Sequence, residues 1–301
     1  MNSQSQPHEQ VSRLIEALER DESLGLPDNF VRRIRAIDYL ELYGLDDIEV
    51  LSGASMVEAD GHALIERVRA LKQRLEAANH QLIEQLAASI RAGDREALKR
   101  IIAAAEPQTE ARDDIGYDAL DTLMAALLDA GVIPDAPSLP DPDMIAFQPT
   151  PARIVLKVID QLHPTRDDIF YDLGSGLGHV PILINLLTGM KTVGVELEES
   201  YCQYAAACVK KLGLTGVSFI QSDARDVSFD EGTIFYLYTP FQGKILGEVL
   251  HKLEEQAARR RFKICAYGPC TLVVSKQKWL KSIYQMGKGE GSLGIYRSID
   301  S

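Results

Sequence analysis

The stretch Asp172-Leu173-Gly174-Ser175-Gly176-Leu177-Gly178-His179 sets a carboxylate two residues ahead of three alternating glycines. It lies between an apolar run and a helical stretch. Glycines there let backbone approach a ligand and tolerate positive φ. Gly174, Ser175, Gly176 and Gly178 are therefore candidate ligand contacts. The spacing departs from the dinucleotide fingerprint G-x-G-x-x-G: the third glycine comes one residue early, and His179 stands where that fingerprint needs glycine. A carboxylate at Asp172 suits a positively charged group, such as an amine, better than a pyrophosphate. No G-x-x-x-x-G-K-[ST] loop occurs, which argues against a P-loop nucleotidase. Two more acids follow. Glu196 closes Val193-Gly194-Val195-Glu196, where a carboxylate accepts hydrogen bonds from both hydroxyls of a ribose. Asp223, in Ser222-Asp223-Ala224, can accept from an adenine amino group. The six histidines are scattered, with no H-x-x-x-H or H-E-x-x-H spacing, so no metal site is expected.

Acids so spaced need elements that bring them together. Short apolar runs occur at Ile169–Leu173, Thr192–Val195, Val217–Ile220, Thr233–Tyr238 and Phe262–Ala266. Helical stretches separate them at Val180–Leu187, Ser200–Leu212 and Gly243–Arg260. This alternation predicts an α/β fold with a doubly wound parallel sheet, covered on both faces. Two last runs, near Trp279–Gln285 and Leu293–Ser298, flank the glycine-rich Gly287–Gly294 and predict an antiparallel C-terminal hairpin at the sheet edge. Six of thirteen prolines (134, 137, 140, 142, 149 and 151) fall in one short stretch and predict an extended connector. Before it the pattern is helical. Val11–Arg20 and Phe30–Tyr43 are amphipathic, the second ended by Gly44. Leu64, Val68, Leu71, Leu75, Ala78, Leu82, Leu86 and Ile90 form one stripe on a long helix over 59–91, broken by Gly93. Asp94–Ala105 and Tyr117–Ala130 follow. The expected organisation is an all-α domain over 1–133, a proline-rich linker over 134–146 and an α/β domain over 147–301. The helices suit a bundle, an oligomerisation or partner-docking element, or a lid.

An amine, a ribose and an adenine held together describe S-adenosyl-L-methionine. The motifs at Asp172–His179, Glu196 and Asp223 resemble those of the class I, Rossmann-like S-adenosylmethionine-dependent methyltransferases, over roughly residues 145–300. In Phe147-Gln148-Pro149-Thr150-Pro151, Thr150 reads as a helix N-cap and Pro151 as the first helical residue. This aromatic–Pro–Thr–Pro lead-in is similar to one in the protein-lysine methyltransferases that lack a SET domain. There the segment lies over the cofactor, so the resemblance makes Phe147 and Thr150 cofactor contacts. It implies the same for Asp172, Gly174, Ser175, Gly176, Gly178, Glu196, Asp223 and Ala224.

In class I enzymes the fourth strand end faces the sulfonium. Here it reads Tyr238-Thr239-Pro240-Phe241. Amino-methylating families often carry Asn or Asp, two prolines and an aromatic there. Thr239 replaces the amide or acid and one proline remains, which argues against adenine-N6 or glutamine acceptors. The resemblance makes Tyr238, Thr239 and Phe241 the acceptor residues. The Thr239 hydroxyl would accept from the nucleophile, and the aromatic rings would hold a cationic amine. His179 reads as packing at the helix start, and Arg259-Arg260-Arg261 as a solvated helix end. The expected activity is methyl transfer to an amine nitrogen, a protein lysine among the candidates. The alternatives are a small-molecule N- or O-methyltransferase and a catalytically silent cofactor-binding interaction protein.

Composition narrows the partners. The chain has 301 residues, 46% hydrophobic and 25% charged, as ordinary globular proteins do. Its net charge of −12 makes nucleic acid an unfavoured partner. No apolar stretch reaches membrane-spanning length, and the N-terminus lacks the pattern of a secretory signal. Cys202, Cys208, Cys265 and Cys270 have no C-x-x-C spacing and read as free thiols. A cytoplasmic location is expected. Through residue 140 there are 14 Lys and Arg against 26 Asp and Glu; beyond it there are 18 of each. A helical domain so charged favours a basic partner, such as a lysine-rich protein, or simply a solvated surface. A protein or small-molecule acceptor and a homo-oligomer through the N-terminal helices are the expected partners.

Overall fold

The computed structural model describes residues 5–45, 58–105, 117–135, 141–287 and 289–299. The chain forms two compact units, Met1–Glu110 and Ala111–Ser301. The first is helical: α1 (Ser5–Arg20), α2 (Phe30–Tyr39), α3 (Glu58–Arg91) and α4 (Glu96–Ala105). The stripe on α3 is buried as its spacing predicts, with Ala78 half-buried. Its first half, Leu64, Val68, Leu71 and Leu75, packs with Ile15, Ala36, Ile37 and Leu40 into one apolar cluster. Gly44 does not end the second helix. A wide-turned stretch, Leu40–Leu45, carries the coil past it. Leu40, at its start, is buried. Arg33 is buried in this unit and donates to the Leu24 and Leu26 carbonyls and to Asn79 Oδ1.

The second unit begins earlier than the proline pattern suggests. Its first described helix, α5 (Ala119–Leu127), falls inside the stretch expected to belong to the helical domain. The physical reason is a shared carboxylate. Asp118 and Asp121 form a reciprocal capping box on α5. Asp121 Oδ1 also accepts from the Ala152 N–H at 2.7 Å, at the start of α6 (Ala152–Leu162). The connector's Pro137 and Pro140 lie outside the described residues. Its later part, 141–150, is not free chain but packs along the sheet, as set out below.

The sheet follows the apolar runs closely: β1 (Ile169–Leu173), β2 (Lys191–Glu196), β3 (Val217–Gln221), β4 (Ile234–Tyr238), β5 (Lys263–Tyr267), β6 (Leu280–Met286) and β7 (Leu293–Ser298). The order is β3-β2-β1-β4-β5-β7-β6. The first five strands pair in parallel. β7 inserts antiparallel between β5 and the edge strand β6. Helices α7 (His179–Thr188), α8 (Glu199–Leu212) and α9 (Gly243–Ala257) make the crossovers, and a short α10 (Thr271–Val274) follows β5. β1, β4 and β5 are nearly continuously buried, as strands covered on both faces must be. The strand order reverses between β1 and β4, and such a switch point opens a crevice at the carboxyl ends of the strands. Among the described residues no helix is long and apolar enough to cross a membrane.

Candidate active site

A cavity lies at that switch point. Asp172, at the end of β1, is 3% exposed. Burial pushes its carboxyl well above the usual carboxylate range, and the like charge of Glu196 pushes the same way. Ser175 Oγ is buried with no hydrogen-bond partner. Glu196 is held by backbone: its two oxygens accept from Gly176 N–H at 2.7 Å and Glu198 N–H at 3.0 Å. Each oxygen keeps a further lone pair for a hydroxyl. A buried carboxylate pressed by a second one, beside an unpartnered hydroxyl, fits a ligand bearing a cation and several donors. Asp223 and Ala224 line the same cavity. The Arg225 fork takes both oxygens of Asp223, Nε to Oδ1 at 3.0 Å and Nη2 to Oδ2 at 2.8 Å. These bonds hold the carboxyl below its usual range and leave spare acceptor capacity.

The glycines divide into two groups. Gly174 and Gly176 line the cavity. At Gly176 (φ 52°) a Cβ would fall on the Phe147 ring, so this ring lies directly over the turn. Gly178 lies outside the cavity lining. A Cβ there would stand 2.6 Å from the Phe219 ring and 2.7 Å from Ala205 Cβ, so its task is close packing of α7 against α8 and β3.

Residues 141–150 run along the cavity mouth. Met144 bridges to Phe241 and Ile145 N–H donates to the Pro240 carbonyl at 3.1 Å. Asp143 Oδ2 accepts from Lys244 N–H at 2.7 Å, capping α9 from far along the chain. Met144 to Thr150 all line the cavity. Phe147 makes edge contacts with His179 and Tyr201. Thr150 is not a helix cap. Pro151 occupies that position without a side-chain bond, and Asp121 supplies the acceptor instead. The Thr150 hydroxyl lies 3.2 Å from the Tyr236 hydroxyl.

The acceptor side departs furthest from expectation. Thr239 lines the cavity with φ 40°, a genuine outlier for a β-branched residue. Its hydroxyl donates to the Tyr267 carbonyl and accepts from Cys270 N–H, each at 3.1 Å. It ties the turn to the β5 loop and is engaged at both ends. Tyr238 packs on Tyr267 with the rings tilted by 41°, centroids 4.6 Å apart, and donates to Gln148 Oε1 at 3.1 Å. Phe241 is buried in the cavity floor. His179 faces the cavity, and burial pushes its pKa down to about 4. Arg260 is no solvated helix end: its guanidinium donates to the Gly232 and Phe229 carbonyls and sits over the Phe262 ring.

Sequence reasoning missed Tyr236, Tyr201, Met144 and Ile145 as lining residues. Tyr236 carried a signal: on an alternating strand it shares a face with Tyr238, the residue that was singled out.

The family model described as Histone methylation protein DOT1 matches residues 149–230. A curated protein-lysine N-methyltransferase of Saccharolobus islandicus (strain REY15A) is 30% identical over 96 residues. That match takes in 31% of this chain and only 60% of the relative's length. Among solved structures, an RNA methyltransferase from Salinibacter ruber, in complex with S-adenosyl-L-homocysteine, is 24% identical with a TM-score of 0.43. It covers 51% of this chain and 95% of its own. A precorrin-6y C5,15-methyltransferase from Geobacter metallireducens GS-15 is 14% identical at TM-score 0.39, covering 54% and 92%. The second unit has the Rossmann-like methyltransferase fold, with its antiparallel C-terminal hairpin.

Proposed function

We propose that this chain is an S-adenosyl-L-methionine-dependent methyltransferase whose acceptor is an amine nitrogen, with a protein lysine as the leading substrate. The observation that carries the reading is the set of three carboxylates, Asp172, Glu196 and Asp223, around one cavity. When bound, the cofactor supplies a methyl group already activated by its sulfonium. Asp172 takes the cofactor's amino group, which relieves the charge crowding with Glu196. Glu196 takes the ribose hydroxyls and Asp223 the adenine amino group. Phe147, over Gly176, keeps water from the turn. Ser175, Gly174, Gly176, Thr150 and Ala224 complete the cofactor wall. Tyr238 and Phe241 offer aromatic surface to an acceptor amine, while Thr239 shapes the turn rather than binding the nucleophile. Catalysis rests on alignment and exclusion of water. The family match supports a protein acceptor, and the curated relative a protein lysine.

The engaged Thr239 hydroxyl favours one second reading: a chain that holds the cofactor without transferring from it. Calorimetry with the cofactor, then transfer of a labelled methyl group into a cell extract, separates the readings. Label in protein, released as methyl-lysine on hydrolysis, is the expected result. Label in small molecules alone ends the protein-lysine proposal. Binding with no turnover selects the second reading, and no binding overturns both.

A further inference from the structure

Tyr236 sits in the middle of β4 at 1% exposure, stacked on Phe170 at 6.0 Å and paired in register with Asp172. A phenylalanine would fill this place in the sheet equally well; the hydroxyl is what needs explaining. A buried phenol needs a hydrogen-bond partner, and the Thr150 hydroxyl stands at 3.2 Å. Thr150 belongs to the segment whose Phe147 ring covers the glycine turn.

Two other tyrosines bond the same segment: Tyr117 donates to the Pro149 carbonyl at 2.8 Å and Tyr238 to Gln148 Oε1 at 3.1 Å. Both bonds are solvent-exposed, so if the segment lifts, each tyrosine exchanges its partner for water at little cost. Tyr236 is 1% exposed and lines the cavity, which a bound cofactor would occupy. Lifting the segment then leaves a buried phenol without a partner, the expensive case. Three bonds hold the segment, and one of them resists opening.

We propose that Tyr236 is a positioning residue whose hydroxyl, acting through Thr150, latches residues 147–150 over the bound cofactor and slows its release. This rests on the cofactor reading above. Tyr236→Phe and Thr150→Val remove the latch while preserving shape. Each should weaken binding of S-adenosyl-L-methionine about fivefold to tenfold, the worth of one net hydrogen bond. Faster dissociation should carry the loss. The double variant should lose no more than either single one. Hydrogen exchange on the ligand-free proteins should be faster across 147–150 in Tyr236→Phe, with β4 unaffected. Affinity within twofold of wild type, losses that multiply in the double variant, or unchanged exchange over 147–150 overturns the latch. If the wild type binds no cofactor, the functional reading falls, and the exchange result alone decides whether Tyr236 holds the segment.

Discussion

Asp172 shows what a binding site costs before its ligand arrives. Its carboxyl keeps its proton in the folded chain to a higher pH than in the unfolded one, because of burial and then Glu196. As pH rises from the unfolded value through the folded one, the unfolded state therefore binds fewer protons, and stability is lost. Asp172→Asn should raise the melting temperature of the ligand-free protein at neutral pH, by about 2–4 °C for each kcal/mol relieved. The gain should vanish below pH 4, and cofactor affinity should fall at least about tenfold. Thermal melts across pH and calorimetry check both signs. Thr239→Val keeps the shape and strands the Tyr267 carbonyl and Cys270 N–H, so it should cost about 1–3 kcal/mol in urea denaturation. At this scale the acids were legible, because a carboxylate at the end of an apolar run has a place before the fold is known. The two threonines were not. Their partners lie 86, 28 and 31 positions away, and no local pattern reports such a pairing.

Among elements, the strands were legible to within a residue or two, since apolar runs bounded by turns mark parallel strands. The linker was less so. Prolines mark it as extended, yet extended chain pairs readily with a strand end, as Met144 does with Phe241. Asp143 extends the point: it caps α9 across 101 positions, where the local N-cap residue Gln242 makes no side-chain bond. Asp143→Ala should cost about 1 kcal/mol of stability by denaturant titration. Gly178→Ala should cost more, about 1–3 kcal/mol from overpacking against Phe219 and Ala205 and additional strain at φ 77°. The ratio of these two losses separates a missing cap from a crowded helix contact.

For the whole molecule, the division at residue 110 moves the charge. Residues 1–110 hold 13 Lys and Arg against 20 Asp and Glu; residues 111–301 hold 19 against 24. Each unit is acidic in its own right, so the α/β unit is not the neutral body that a boundary at 140 suggested. A chain of 111–301 should unfold in one cooperative transition and bind cofactor. A chain of 147–301 loses the Asp121 cap on α6 and the Met144 bridge, and should melt lower and bind more weakly. Side-by-side melts and calorimetry test the pair. The four cysteines carry a practical consequence. All are buried; burial lifts Cys202 and Cys208 to about 11 and Cys265 to about 12, and raises Cys270 as well. Thiolate is the reactive form, so the native protein should be almost silent to maleimides. A cysteine introduced at Gln148 would then take a fluorophore alone and report the position of the segment over the cavity, without any native thiol having to be removed.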